Sequence, residues 1–236
     1  IDNLTEELGV SRVTIQRDIN VLEERGLVSK VRGGVKLKGR GDGQFETRFT
    51  VRLKNNYEKK VEIAKKALAY VNDGETIFLD SSSTVFVFAQ ELFKRHFFDL
   101  NIVTISPAII CEALKYPDVR IICAGGQLRQ SFSMFYGAWT IEFLQEINID
   151  SSFISAAGVS IDGNCTSSDI ELVNILNVVC SRSKNLNILV DSSKFLNRGM
   201  LNLSTKLIRK RIITDSQIDE DIASKLEALD NVELIK

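Results

Sequence analysis

The sequence predicts an α/β protein in which a small N-terminal winged helix-turn-helix precedes a mainly parallel, Rossmann-like sheet domain. Two helical segments and two short alternating strands occupy the first forty residues. Beyond a glycine-rich break, short apolar runs alternate with helical stretches, which is typical of a parallel sheet covered on both faces. We therefore divide the chain into a helix-turn-helix domain at residues 1–38, a linker at 39–56 and an α/β domain at 57–236.

The composition indicates a folded globular chain whose charges are nearly balanced. The 236 residues are 44% hydrophobic, and 30 Lys+Arg stand against 31 Asp+Glu. A nucleic-acid surface would therefore have to come from a local cluster of cations. Four separated cysteines and a single histidine give no zinc-ligand spacing. We therefore expect no metal and no other cofactor. Because no apolar run reaches the roughly 20 residues of a membrane helix, we also expect a cytoplasmic protein without membrane contact.

The first elements are predicted to form a helix-turn-helix. Gly9 permits a left-handed stop after the first helix, and Ser11 is a suitable N-cap for the second. On the second helix Ile15, Ile19 and Leu22 form the stripe expected to be buried. The opposite face offers a major groove a cation, amides, a hydroxyl and an apolar group suited to a thymine methyl. The predicted DNA contacts of this helix are Ser11, Arg12, Val13, Thr14, Gln16, Arg17 and Asn20.

The two strands that follow surround a glycine turn and predict a β-hairpin wing. A two-residue loop at 33–34 would set Val31 opposite Lys36, whereas a three-residue loop at 32–34 pairs Lys30 with Lys36. The alternation favours the three-residue loop, which turns the lysines outward. Since no acidic residue interrupts the hairpin, this face suits a phosphate backbone. The wing adds Lys30, Arg32 and Lys36 to the predicted DNA contacts.

The larger domain is predicted to consist of strands separated by helices. A helix from Tyr57 to about Asn72 opens the domain. The apolar runs predicted as strands lie at 76–79, 101–104, 119–123, 152–156, 186–190, 211–214 and 232–235. Parallel sheets of this kind bind ligands beyond the carboxyl ends of their strands. Candidate ligand-binding residues are therefore expected directly after these runs.

Polar residues after the first of these strands predict an anion-binding loop. Asp80 is followed by Ser81, Ser82, Ser83 and Thr84, directly before a helix at 85–93. Hydroxyls and backbone N–H groups at a helix N-terminus can bind a phosphate, although Ser and Thr also commonly cap helices there. Four in a row exceed the needs of capping and favour phosphate binding. Candidates after other strands are Ser106, Gly125, Gly126, Arg129 and Lys194, whose cations could neutralise a phosphate.

Motifs of both domains occur together in one known family. In the first domain they are Leu8–Ser11, 14–19, 22–23 and the wing sequence 32–34; in the second they are 79–84, 124–129, 157–158, 165–167 with Glu171, and 191–195. Over essentially the whole chain these residues resemble the DeoR family of bacterial transcription regulators. Gln16 stands where the family usually has a basic residue, and Ser81 and Ser82 replace its usual glycines.

The resemblance implies both a fold and an effector. Family members typically carry a further helix before the position of Ile1, so we expect the first helix of the DNA-binding domain to be missing from this sequence. Their second domains are similar to ribose-5-phosphate isomerase, glucosamine-6-phosphate deaminase and CoA-transferase folds. The resemblance therefore implies a phosphorylated sugar, or a related metabolite, as effector.

We expect a DNA-binding repressor of a sugar-catabolism operon, with operator DNA, a phosphorylated sugar and further copies of the chain as partners. Short recognition helices commonly read paired half-sites, so we expect more than one copy of the chain. A homodimer and a homotetramer both meet this requirement. The alternative is a sugar-phosphate isomerase or deaminase with a vestigial DNA-binding head. In the alignment with those enzymes Ala157 or Gly158 stands at the position of the acid, so catalysis would need Asp162 or Asp169 instead. No catalytic residue is therefore predicted. A metabolite-binding module that no longer holds DNA is a third possibility.

Overall fold

The chain folds into two compact units in a computed structural model that describes residues 2–24, 28–31, 34–37, 49–205 and 208–236. The small unit comprises Ile1–Glu46 and the large unit Thr47–Lys236. No helix within these described ranges is long and apolar enough to cross a membrane.

The small unit begins with two helices separated by a tight turn. Helix α1 spans Asp2–Leu8 and α2 spans Arg12–Glu24. Gly9 has a φ of 64°, as a left-handed stop requires. The backbone N–H of Thr14 donates to Ser11 Oγ at 3.2 Å, so Ser11 is the N-cap of α2. The predicted helix-turn-helix is confirmed.

The core of the small unit covers part of the predicted apolar stripe of α2. Ile15 and Ile19 are buried, whereas Leu22 is 37% exposed. The described side chains that pack on Ile15 and Ile19 are Leu4, Val28 and Val35. The prediction that Leu22 is buried is therefore wrong: it lies in the last turns of α2, and it is absent from this cluster of packed side chains.

The wing is an antiparallel hairpin of β1 (Val28–Val31) and β2 (Gly34–Leu37), and both registers considered from the sequence are wrong. The cross-strand pairs are Val28 with Leu37, Ser29 with Lys36, Lys30 with Val35 and Val31 with Gly34. Gly34 is therefore a strand residue, and the connection consists of residues 32–33, which lie outside the described residues.

An ion pair links the exposed Lys30 to α2. Opposed residues of an antiparallel pair share a face, so Lys30 lies on the side of Val35, which packs on the core of the small unit. There its backbone N–H donates to Glu23 Oε1 at 3.2 Å, and its Nζ lies 2.7 Å from Glu23 Oε2. Alternation along the hairpin could not indicate this contact with α2.

The large unit contains helices on both faces of a sheet. The helices are α3 (Phe49–Lys54), α4 (Tyr57–Ala67), α5 (Ser83–Phe93), α6 (Pro107–Ala113), α7 (Ala138–Glu146), α8 (Ile170–Arg182) and α9 (Glu220–Glu227), with short 3-10 turns at Leu68–Tyr70 and Ser192–Lys194. The strands are β3 (Thr76–Leu79), β4 (Asn101–Thr104), β5 (Arg120–Cys123), β6 (Gln127–Arg129), β7 (Met134–Tyr136), β8 (Ile149–Ile154), β9 (Gly158–Val159), β10 (Cys165–Ser167), β11 (Ser183–Leu189), β12 (Leu201–Asn202), β13 (Lys210–Ile213) and β14 (Val232–Ile235).

Seven of these strands form one parallel sheet in the order β14-β13-β11-β8-β3-β4-β5. They correspond to the seven predicted runs, although β8 and β11 begin three residues before the predicted 152 and 186. One apolar core lies between the sheet and α4–α6, and a second lies between the sheet and α7–α9. The predicted α/β class is confirmed.

The chain reverses direction across this sheet between β3 and β8. It runs outward from β3 through β4 to β5, and then returns to place β8 on the other side of β3. Loops after such neighbouring strands diverge, and the crevice between them is the usual ligand position of open α/β sheets. The carboxyl ends of β3 and β8 therefore mark where a ligand site is expected.

The segment before α4 is a helix of the large unit rather than a linker. The predicted linker covered 39–56, of which 39–48 lie outside the described residues. Phe49 packs edge-on against Phe86 of α5, with ring centroids 5.5 Å apart, and Leu53 lies one turn further on the same core. A helix of six residues is too short to show a clear apolar period, which is why the sequence did not indicate it.

Candidate functional site

Asp80 links the two loops that diverge at the reversal point of the sheet. Its Oδ1 accepts the backbone N–H of Ser82 at 2.8 Å, and its Oδ2 accepts that of Ser155, directly after β8, at 2.7 Å. The residue is only 1% exposed. Burial raises the pKa of Asp80, and the N–H donors and the charge of Arg52 offset part of that rise. Asp80 therefore links the two loops, and its contact with an effector stays a prediction.

The hydroxyls after Asp80 fall into two groups, one that caps α5 and one that does not. Ser82 Oγ accepts the backbone N–H of Val85 and caps α5. Ser81, Ser83 and Thr84 are 2%, 8% and 4% exposed as whole residues, but their hydroxyl oxygens are not among the fully buried side-chain atoms that lack a partner in the described part of the chain. A solvent molecule or a ligand can therefore reach these hydroxyls without a burial penalty. Ser82 has the capping role, and phosphate binding by the other three hydroxyls stays a prediction.

Two arginines flank one phenylalanine beside this loop. The Cζ atoms of Arg52 and Arg129 each lie 5.1 Å from the centroid of the Phe132 ring. Arg129 also forms an ion pair with Asp169, with Nη1 and Oδ2 2.5 Å apart. Asp169 is 5% exposed and caps α8 through Leu172 N–H. Phe132 thus brings Arg129 together with Arg52, whose charge also acts on Asp80 and which the sequence analysis did not consider.

The loop after β11 carries a second cluster of charge. Asp191 Oδ1 accepts the side-chain amide of Asn56 at 3.1 Å, and Asp215 Oδ2 accepts the backbone N–H of Ser192 at 2.6 Å. Lys59 Nζ donates to Ser192 Oγ at 2.6 Å and lies 3.7 Å from Asp215. Lys194, in the same loop, is half-buried. These contacts fasten the start of α4 to the loop that presents Lys194.

Lys60 is a buried cation between these two clusters. It is 3% exposed, and its Nζ donates to the carbonyls of Arg52 and Asn55 at the end of α3. Burial lowers the pKa of Lys60 to about 8; Asp191 opposes that shift, whereas Lys194 and Arg52 add to it. The cations Arg52 and Lys194 therefore lie near the same ammonium group. Lys60 lies four residues before the buried Ala64, on the apolar face of α4. This spacing is the sequence signal that could have identified a buried lysine at this position.

The remaining candidates have structural roles. Ser106 is fully buried and caps α6 through Ile109 N–H. Gly126 has a φ of +117°, and a Cβ there would lie 2.2 Å from Thr140 Oγ1. Gly125 has a φ of +63° with nothing within 4 Å of an added Cβ. Close packing therefore requires a glycine at 126, whereas at 125 only the backbone conformation favours one.

A separate cavity of about 390 Å³ lies at the amino ends of the strands, away from the carboxyl ends that carry the loop at Asp80–Thr84. Its lining includes residues at the amino ends of β4 and β5, among them Leu100 and Arg120, and residues after α5, among them His96 and Phe98. Because ligands of such sheets bind at the carboxyl ends, we place the candidate site at Asp80–Thr84.

The outward face of α2 carries most of the residues predicted to contact DNA. All seven predicted residues from Ser11 to Asn20 are exposed, and Val13 is 78% exposed. The hydroxyls of Ser11 and Thr14 lie 2.8 Å apart and bond each other. In the wing, Lys30 is paired with Glu23, Lys36 lies opposite Ser29, and Arg32 lies outside the described residues.

A winged helix-turn-helix unit followed by an α/β unit with a parallel sheet is the architecture of a DNA-binding transcription regulator with a sensor domain. A family model described as "DeoR-like helix-turn-helix domain" matches residues 1–40, and one described as "DeoR C terminal sensor domain" matches residues 55–216. The chain belongs to the DeoR family, and the resemblance stated from its motifs is confirmed.

Curated relatives align over most of their length. The glycerol-3-phosphate regulon repressor of Escherichia coli is 28% identical over 215 residues, which cover 91% of this chain and 83% of that protein. The L-fucose operon activator of Escherichia coli is 30% identical, and the alignment covers 83% of this chain and 79% of that protein. The lactose phosphotransferase system repressor of Lactococcus lactis is 29% identical, and the alignment covers 92% of this chain and 85% of that protein. These relatives are regulators and include both repressors and an activator.

Solved structures align with part of the chain. Ribose 5-phosphate isomerase A from Methanocaldococcus jannaschii has a TM-score of 0.46 and 20% identity, over 60% of this chain and 56% of that enzyme. The structure of eIF2B delta from Chaetomium thermophilum has a TM-score of 0.49 and 12% identity, over 70% of this chain and 58% of that chain. The sheet topology by itself defines the fold class described above.

Proposed function

We propose that this regulator represses a sugar-catabolism operon and that a phosphorylated sugar bound in the large unit controls its affinity for operator DNA. The observation that carries the proposal is the group of hydroxyls at Ser81, Ser83 and Thr84, which lies at the start of α5 and at the reversal point of the sheet. The names of two relatives, a glycerol-3-phosphate regulon repressor and a lactose phosphotransferase system repressor, support this class of effector.

The proposed effector site combines hydroxyl donors with nearby cations. Hydroxyls and the N–H groups at the start of α5 would bind the phosphate, as helix N-termini do. Arg129 and Lys194 would supply positive charge, while Asp80 positions the loop. Gly125 allows close approach of the backbone after β5. Ser106 and Gly126 would act indirectly, through the helix cap and the packing that shape the site.

The proposed DNA interface is the exposed face of α2 together with the wing. Arg17 and Gln16 are candidates for base contacts in the major groove. Arg32 and Lys36 remain candidates for phosphate contacts, and Lys30 would contribute less because Glu23 already neutralises it. One such helix reads few base pairs, so we propose a homodimer or homotetramer that reads paired half-sites.

We propose that the large unit binds its effector without turning it over. The two carboxylates that a displaced active site would need are already engaged: Asp169 caps α8 and pairs with Arg129, and Asp162 accepts the side-chain amide of Asn164. Ala157 and Gly158 have no group that can move a proton. The relatives are named as regulators, which also favours sensing over catalysis.

The test is thermal unfolding of the full chain with a sugar-phosphate panel. The panel contains glycerol 3-phosphate, ribose 5-phosphate, glucosamine 6-phosphate and galactose 6-phosphate, each with its unphosphorylated parent. A ligand at 100 times its Kd stabilises the native state by about 2.7 kcal/mol. A rise in Tm with a phosphate and none with its parent supports the proposal. No rise with any phosphate contradicts it.

A pair of threonine variants locates the site. Thr84→Val removes the hydroxyl and keeps the shape of a side chain that is 4% exposed, so we expect the fold to persist while phosphate affinity falls about tenfold or more. Thr50→Val makes the same change at an exposed position of α3 and should leave the Kd unchanged. Equal affinity in Thr84→Val and the wild type would exclude this loop as the site.

DNA binding provides the functional readout. Fluorescence anisotropy with a duplex selected by the wild-type chain from a random library measures the Kd with and without each phosphate. A change in this Kd with the same compound that raises Tm supports control by a sugar phosphate, and its sign tells whether the compound releases or promotes DNA binding. Consumption of any panel member in the same mixture would contradict binding without turnover.

A further inference from the structure

Arg52 lies in the helix that follows the DNA-binding unit in the chain, yet its side chain reaches the candidate effector site. Helix α3 begins at Phe49, directly after the small unit ends at Glu46. Phe49 packs on Phe86, which lies in the first turn of α5. Arg52 is three residues further along α3 and shares the face of Phe49. The start of α5, where Ser83 and Thr84 lie, is therefore directly beside Arg52.

The contacts of Arg52 place its charge among the proposed effector ligands. Its guanidinium flanks the Phe132 ring on which Arg129 also packs, and its charge acts on Asp80. Arg129 already pairs with Asp169, so the guanidinium of Arg52 is the one of the two proposed for bidentate binding of a phosphate.

We propose that Arg52 is a phosphate-binding residue of the effector site and that α3 transmits effector occupancy toward the DNA-binding unit. The inference rests on the proposed function, and it assigns to that site a residue and a route of regulation.

One contact of Arg52 is weaker than the bond that a phosphate would offer. Arg52 Nη2 donates to the carbonyl of Ser131 at 3.4 Å, at the long limit of hydrogen bonding to a neutral acceptor. A phosphate oxygen accepts a shorter, charge-assisted bond that is about twice as strong. A phosphate would therefore compete well with Ser131 for this N–H group.

Tertiary contacts determine the position of α3, so we expect a change at Arg52 to affect the helix. A helix of six residues is not stable by itself, and tertiary contacts have to hold it in place. Phe49 and Leu53 pack its apolar side, Arg52 anchors it toward Ser131, and Lys60 donates to its last carbonyls. A ligand that binds Arg52 favours one arrangement of α3, and the chain continues from α3 into the DNA-binding unit.

The experiment compares the wild type with three variants of the full chain. Arg52→Gln removes the charge, Arg52→Lys keeps a charge without the planar fork, and Lys54→Gln makes the matched change at an exposed position of the same helix. Inorganic phosphate and the sugar-phosphate panel are titrated by calorimetry, and DNA affinity is measured with the selected duplex. The Tm of each variant without ligand reports whether it folds.

We expect Arg52→Gln to weaken phosphate binding about 10- to 100-fold, Arg52→Lys to weaken it less, and Lys54→Gln to leave it within twofold. At saturating sugar phosphate, the change in DNA affinity should be much smaller in Arg52→Gln than in the wild type. A wild-type Kd for phosphate in folded Arg52→Gln would overturn the binding role.

The remaining outcomes are also decisive. If Arg52→Gln binds phosphate weakly but shows the full change in DNA affinity at saturation, the role of α3 in transmission is wrong. If Arg52→Gln does not fold, Arg52→Lys decides by the same two measurements, because it preserves the charge beside Asp80. If the wild type responds to no member of the panel, the proposed effector site fails, and this inference fails with it. A wild-type response that Arg52→Gln retains in full refutes only the inference.

Discussion

Replacing Asp80 by asparagine changes one oxygen of a buried carboxylate into an amide nitrogen. Both oxygens of Asp80 accept backbone N–H groups, from Ser82 at 2.8 Å and from Ser155 at 2.7 Å. An amide offers a single accepting oxygen, so one of the two N–H groups would face another donor. The link between the loops after β3 and β8 would then be broken on one side.

The expected loss of stability follows from these two bonds. A hydrogen bond to a charged acceptor contributes about 1.5–3 kcal/mol, and the residue is only 1% exposed, so water cannot replace the lost partner. Removal of a buried charge recovers part of this energy, since burial already raises the pKa of Asp80. We expect a net loss of about 2 kcal/mol, which corresponds to a fall in Tm of roughly 4–8 °C for a unit of this size.

The assay is thermal unfolding of the full chain followed by circular dichroism, with Asp73→Asn as the matched control. Asp73 is exposed and accepts one N–H, that of Phe98, at 2.8 Å. An asparagine at 73 can keep this bond through its own oxygen, so we expect a change below about 0.5 kcal/mol. Unchanged stability of Asp80→Asn, or an equal loss in both variants, would refute the reasoning about the linked loops.

Three further predictions concern DNA contact, packing and pH. Arg17→Ala should weaken binding to the selected duplex about 10- to 100-fold in anisotropy, with less effect on a scrambled duplex; an equal loss on both would make Arg17 a phosphate contact. Gly126→Ala should cost at least about 3 kcal/mol in denaturant unfolding, because its Cβ would lie 2.2 Å from Thr140 Oγ1, whereas Gly125→Ala should cost about 1 kcal/mol. The pKa of Lys60 is about 8 in the folded chain, below the ordinary 10.5. Between these two pH values the unfolded chain binds more protons than the folded chain, so stability rises with pH. The free energy of unfolding of the wild type should therefore increase by up to about 2 kcal/mol relative to Lys60→Met as pH rises from 7 to 10. A stability difference that does not change with pH would show that Lys60 keeps its proton.

Local patterns were sufficient to predict the architecture of both units. Each strand of the parallel sheet is a short apolar run between helical stretches, because a strand covered on both faces has to be apolar along its whole length. The turn at Gly9 and the cap at Ser11 depend on residues adjacent in the chain. The position of the candidate site after β3 also followed from the sequence, since parallel strands bring their carboxyl ends to one edge.

Contacts between residues distant in the chain could not be predicted in this way. The register of the wing brings Lys30 to Glu23 of α2, and alternation within the hairpin does not indicate such a pairing. The helical state of Phe49–Lys54 depends on packing against Phe86, which follows it by more than thirty residues.

The sequence by itself determined the fold class, the order of the elements and the loop that carries the candidate site, because these depend on the periodicity and turn chemistry of neighbouring residues. Only the tertiary structure decided which partners the charges near that loop have. Asp80 links to Ser155, Arg129 pairs with Asp169, and Arg52, from outside the predicted domain, packs on Phe132. The physical reason is that ion pairs and buried hydrogen bonds are set by proximity in space, and side chains brought together by the sheet have no fixed spacing along the chain.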